Sequence, residues 1–181
     1  MRVSENGGKP EVTFSVRDKK ASSFGDVHTS TATNAVFSPD GRWVAYQSDE
    51  TRTNGVFVQP FPATGAKYLV PKVLRDDQQP LWSPDGKELF YSPGPNRLVV
   101  ASIATEPRVA FGIPAPIPNG GGFQSRLPTI RRPFDIFPDG KQFIGVLAHG
   151  QNQTPSGAAR DPQIQVVLNW FEDVKRLVPL A

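Results

Sequence analysis

Ser38-Pro39-Asp40-Gly41, Ser83-Pro84-Asp85-Gly86 and Phe137-Pro138-Asp139-Gly140 are one tetrapeptide written three times, changed only at the first position of the last copy. The prolines at 39, 84 and 138 set spacings of 45 and then 54 residues. Each copy follows an apolar residue (Phe37, Trp82, Ile136) and precedes a basic one (Arg42, Lys87, Lys141). A self-similar unit of this length marks a repeat architecture in which every unit is one supersecondary element. The turn chemistry is local. Proline presets φ at the second turn position, aspartate bonds its own backbone, and glycine accepts positive φ. Apolar runs through Val44, Leu89 and Phe143 on the far side make each copy the tip of a β-hairpin.

The strand leaving each turn carries a second signal. Val44 with Tyr46, Leu89 with Tyr91, and Phe143 with Gly145 fall on one face, while Ala45, Phe90 and Ile144 fall on the other. A strand that is apolar on both faces belongs to a sheet covered on both sides, as in a radial stack of sheets.

Composition agrees. Twelve Phe, three Trp and three Tyr supply large groups to bury, and 19 Pro with 16 Gly punctuate the chain into short strands. The 181 residues suffice for one domain with a real core. The net charge of +3 comes from 20 basic and 17 acidic residues with no block of like charge. Arg131-Arg132 is the densest basic spot, so nucleic-acid binding is not expected. The absence of cysteine excludes disulfides and thiolate metal sites. Residues 1–20 are polar and hold no apolar segment of signal-peptide type, and no run reaches membrane-spanning length. No signal peptide and no membrane contact by this segment itself are expected.

Taken in order, residues 1–33 read as a strand at Val12–Val16 followed by a loop from Lys19 to Thr33, the remnant of a preceding unit. The first repeat (34–77) predicts strands at 35–37, 43–48, 56–59 and 67–70, with a turn signal at Asn54-Gly55. The second (78–130) predicts 80–82, 88–92, 97–103 and a weak fourth strand near 109–113, before a long Pro/Gly-rich loop. The third (131–168) predicts 134–136, 142–147 and 163–168. Asn169 reads as an N-cap with Glu172 three residues on, opening a short helix over 169–178 that Pro179 ends. The expected fold is all-β, a partial β-propeller of about three four-stranded antiparallel blades with a short C-terminal helix.

The run from Asn34 through the turn to Tyr46-Gln47-Ser48 resembles the TolB-type, WD40-like propeller repeat. Gln79 to Tyr91, Arg97 to Val100, Phe134 to Ile136 and Val166 to Phe171 further resemble the C-terminal blades of bacterial propellers that often follow a serine/threonine kinase domain and a membrane span. The resemblance covers roughly 34–179. It implies a part of a longer protein, or chains that associate to complete a ring, since propellers need at least four blades. It also implies the periplasmic or extracellular side of a bacterial membrane.

No residue is assigned a catalytic, cofactor-binding or metal-binding role. Asp40, Asp85 and Asp139 sit at one turn position of their repeats, which is a structural pattern. His28 and His149 stand in loops without partnering motifs, and no Gly-x-Ser-x-Gly elbow or kinase signature occurs. Trp43, Phe57, Trp82 and Tyr91 are expected to pack between blades. No cofactor is implied. The function expected is a non-catalytic binding, sensing or protein-interaction module. The partner is a protein or small molecule, alongside the remaining blades of a longer chain or a homo-oligomer. The alternative is an accessory propeller of a hydrolase such as a serine peptidase, and a periplasmic TolB-like adaptor is a third option.

Overall fold

The computed structural model of the chain describes residues 9–30, 33–94, 97–117 and 132–145. All lie in one compact unit, Met1–Ala148; a second unit, His149–Ala181, falls outside the described residues. The expected strand at 163–168 and helix at 169–178 therefore also lie outside them.

The first repeat forms an antiparallel sheet in simple up-and-down order: β3 (Val36–Phe37), β4 (Trp43–Ser48), β5 (Gly55–Pro60) and β6 (Tyr68–Leu69). The second repeats the order with β7 (Gln78–Trp82), β8 (Glu88–Ser92), β9 (Val99–Ala104) and β10 (Ala110–Phe111). Its outer strand is broken by Gly112 to Pro114, and β11 (Ala115–Pro116) resumes pairing farther along β9, at Val99 and Val100. The third contributes a hairpin, β12 (Phe134–Ile136) with β13 (Phe143–Gly145). Preceding them all is a hairpin of β1 (Lys9–Ser15) and β2 (Lys20–Thr29).

β2 corrects the expectation of a loop over 19–33. The stretch is polar, and its buried residues, Phe24, Val27 and Thr29, do not follow a period of two. A register shift between Pro10 and Val12 and a left-handed Gly25 (φ 58°) offset the alternation that marks a strand in sequence.

The sheets stack face to face, and alternate residues of each turn-following strand enter alternate layers. Val44 and Tyr46 join Phe24, Val27 and Phe57 between the N-terminal hairpin and the first sheet. Ala45 points the other way, into the layer where Val56 and Val58 meet Trp82, Leu89, Tyr91 and Ala101 of the second sheet. Phe90 enters the next layer with Leu81, Leu98 and Phe134, where Phe143 meets it edge-on at 5.1 Å between ring centroids. Burial on both faces is the reason these strands read as continuous apolar runs.

The turns stack as well. Each turn glycine is left-handed (φ 70°, 72° and 70° at Gly41, Gly86 and Gly140). A Cβ on Gly86 would lie 3.6 Å from Pro39 Cδ, and one on Gly140 would lie 3.6 Å from Pro84 Cδ. One step carries the first turn to the second and the second to the third, as equivalent units about a common axis require.

Candidate functional site

Three identical carboxylate positions line the turn end of the stack, and the structure shows what occupies them. Ser38 Oγ donates to Asp40 Oδ1 at 2.5 Å and accepts the Trp43 N–H at 3.0 Å; the Arg42 N–H donates to the same carboxylate oxygen at 3.0 Å. Ser83 and Asp85 repeat the arrangement, with Ser83 Oγ donating at 2.7 Å, and Lys87 and Glu88 supplying the N–H donors. The third turn keeps its backbone bonds and the Lys141 N–H on Asp139 (3.0 Å). Phe137 has no hydroxyl to give. The Ser38 hydroxyl, then the Arg42 N–H and guanidinium, pull the Asp40 carboxyl down to about 2, and the Ser83 hydroxyl lowers Asp85 in the same way. Asp40 and Asp85 are thereby held in the ionised form as turn ligands.

Between the first turn and the second sheet lies a groove of about 700 Å³. Trp43 and Phe111 form apolar parts of its wall, Ser102 and Thr105 add hydroxyls, and Lys87 adds a cation. Arg42 reaches across to Glu106 (Nη1 to Oε1, 2.7 Å) while its Nε holds Asp40 at 2.7 Å. At the groove floor the Trp82 ring is buried, with its indole N–H lacking a protein acceptor. An aromatic-walled cleft with a few convergent polar groups has the form of a ligand pocket.

The inner end of the stack holds a polar tie. The buried Gln47 Oε1 accepts from Asn34 Nδ2 (3.0 Å) and from the backbone N–H of Gln79 (2.9 Å). Asn34 Oδ1 accepts the Arg132 N–H at 3.0 Å, so the first and third repeats meet directly at the entries to their first strands. The Arg132 guanidinium donates to the carbonyls of Pro80 and Phe134, each at 2.9 Å. Burial lowers its pKa from the ordinary value, against the pull of Asp135. Asn34 and Gln79, both four residues before their turns, share a left-handed backbone (φ 45° and 59°).

The sequence candidates separate accordingly. Trp82, Phe57 and Tyr91 are buried between sheets, and Trp43 is half-buried against that core. His28 is exposed, 3.6 Å from Asp26, and His149 lies outside the described residues. Among the described residues no group of three His, Cys, Asp or Glu is placed to hold a metal, and no helix is long and apolar enough to cross a membrane. Sequence reasoning missed Asn34, Gln47, Arg132 and the Arg42–Glu106 pair. The shared offset of Asn34 and Gln79 before their turns was the one signal available for the first of these.

No family model matches the chain, and no curated protein is similar to it. Among solved structures it is similar to TolB from Acinetobacter baumannii, with a TM-score of 0.52 and 16% identity, over 72% of this chain and 32% of that one. The fold is that of a partial TolB-like β-propeller. At this identity the likeness is one of fold, and the chain spans about a third of the length of TolB. The sheets are thus propeller blades, with the Pro-Asp-Gly turns along one rim of the arc and the Asn34–Arg132 tie at its inner strands.

Proposed function

We propose that this chain is a non-catalytic binding module, the protein-interaction part of a longer bacterial propeller protein, either kinase-associated or TolB-like. It would act on the periplasmic or extracellular side of the membrane, as the sequence resemblance implies. The observation that carries the reading is the contrast at the turn rim. The repeated carboxylates are committed to their own turns, while the groove beside them stays open with Trp43, Arg42, Lys87 and Glu106 on its walls. Propellers bind through loops and clefts, and the fold itself does not name the ligand.

The test has two arms. Immobilised chain is exposed to envelope extract beside an Arg42→Glu, Trp43→Ala variant; one saturable partner kept by the wild type and lost by the variant is expected. Equal capture by both, or hydrolysis of peptide substrates by the chain alone, overturns the reading. Sequencing the coding DNA upstream of Met1 addresses the wider context, where an in-frame kinase domain is the kinase-associated outcome.

A further inference from the structure

The groove at the turn rim is lined entirely by the first two blades, and the state of its polar groups shows which chemistry it suits. Each carboxylate on its lining already holds a donor. Asp40 holds Ser38 and Arg42, Asp85 holds Ser83 and the Lys87 N–H, and Glu106 holds Arg42. The donors stand differently. Among the described residues no acceptor meets the Trp82 indole N–H, the Lys87 ammonium or the Ser102 and Thr105 hydroxyls. Trp82 is the telling case, because its side chain is buried and a buried donor without an acceptor is destabilising until one arrives. The hydrogen-bonding capacity left in the groove is therefore mainly that of donors.

The apolar part of the lining is aromatic. Half-buried Trp43 and Phe111 contribute rings to the walls, and a volume of about 700 Å³ lies in the range of ligand clefts. Ala104 and Ala110, paired across β9 and β10, are exposed and leave room on the far wall. A ligand for this groove needs flat apolar surface and free acceptors, and gains little from donors of its own. A polyproline II segment meets both needs. It has no internal hydrogen bonds, so its carbonyls are free, and each proline lacks the N–H while adding a ring face. A sugar brings a donor with each hydroxyl acceptor and fits the groove less well.

We propose that the groove binds an extended proline-rich segment of a partner protein, with proline rings against Trp43 and Phe111 and backbone carbonyls accepting from Lys87 and Trp82. This rests on the reading of the chain as a binding module and names the chemistry of its partner. The Trp82 N–H is shielded in the free chain, so a carbonyl reaches it as the flanking side chains part. Those side chains lie at the surface: Trp43 is half-buried, and Arg42 and Glu106 are exposed. A preformed polyproline II helix loses little conformational entropy on docking, which suits a cleft offering few hydrogen bonds. Asp40 and Asp85 stay in their turns throughout.

Titration of the full isotope-labelled chain with decaproline tests this, read at the indole N–H resonances, with a glycine–serine decapeptide as control. The chain has three tryptophans, and Trp82→Phe identifies the resonance of Trp82. Saturable shifts of the Trp43 and Trp82 resonances are expected with decaproline and none with the control. Ala104→Glu, at an exposed position on the groove wall, fills the cleft and adds a competing acceptor. It is expected to weaken binding by about tenfold or more at an unchanged melting temperature, and Trp43→Ala to weaken it as much. Four results overturn the proposal: no saturable shift, an equal response to the control, movement of Trp43 without Trp82, or full affinity in Ala104→Glu. Tighter binding of cellohexaose than of decaproline overturns it too and gives the groove to sugars. If decaproline fails while an envelope partner is still captured through Arg42 and Trp43, the binding-module reading stands and this inference alone falls.

Discussion

Gln47 reaches from the first blade to the second: its side-chain oxygen accepts the backbone N–H of Gln79 at 2.9 Å, with both residues buried. The same oxygen takes the Asn34 amide, so one acceptor orders the left-handed starts of two successive blades. Gln47→Leu keeps much of the bulk and removes that acceptor from a buried donor. The cost expected is about 1–3 kcal/mol, the desolvation penalty of such a group. Urea unfolding is the measurement, and a midpoint shift at unchanged slope is the expected form. Asn34→Ala removes both the amide donor to Gln47 and the acceptor of the Arg132 N–H, but from a half-buried site that water can reach, and is expected to cost less.

Arg132 holds the third hairpin to the second blade through the Pro80 and Phe134 carbonyls. Arg132→Met keeps the aliphatic stem and deletes both donors. Amide exchange across 134–136 and 143–145 is expected to speed up by about tenfold or more, the scale of one charge-assisted hydrogen bond. The amides of β4 and β8 are expected to hold their rates. Hydrogen–deuterium exchange read by mass spectrometry separates the two regions, and uniform acceleration would show that Arg132 supports the whole stack instead.

The turns, and the four-stranded plan of the first two repeats, were legible in sequence because their causes are local. Proline, aspartate and glycine fix φ within four residues, and the Val44–Tyr46 and Leu89–Tyr91 runs declare burial on both faces. β2 was not legible, since its apolar residues lose their period at a bulge and its remaining positions are polar. The ties at the site were hidden for a different reason. Arg42 and Glu106 are 64 positions apart, and Asn34 and Arg132 are 98 apart. Such pairs exist only once the blades have stacked, and no local propensity encodes them. The exposure of Phe37 was equally hidden, because it is a large aromatic residue like its buried equivalent Trp82, and nothing local separates the two.

Acid should reveal the serine–aspartate bonds. Asp40 is held at about 2 in the folded chain against an ordinary 3.8, and Asp85 is lowered in the same direction. A carboxyl lowered by folding contributes stability that is fully present above its unfolded value. That contribution is lost as pH falls from about 3.8 through about 2. Ser38→Ala with Ser83→Ala removes the largest cause of both shifts, so the fall in stability over that window should flatten. Buried Asp77 runs the other way, its carboxyl raised by burial, so the comparison must be variant against wild type at each pH. Thermal unfolding from about pH 2 to 6 supplies it; parallel curves would show that the serines do not set these carboxyl affinities.

The turn glycines allow backbone strain to be weighed apart from crowding. Gly41 and Gly86 have nearly the same φ, 70° and 72°, but a Cβ at 41 enters open space and one at 86 meets Pro39 at an ordinary contact distance of 3.6 Å. If the left-handed backbone is what requires glycine, Gly41→Ala and Gly86→Ala should each cost about 1–2 kcal/mol. If the stacked turn were too tight for a methyl group, only Gly86→Ala would be costly. Equal losses are expected, because 3.6 Å leaves room for a methyl against a proline ring while φ stays unfavourable at both positions. Unfolding midpoints of the two variants, measured with the chain in one association state, decide between the two causes.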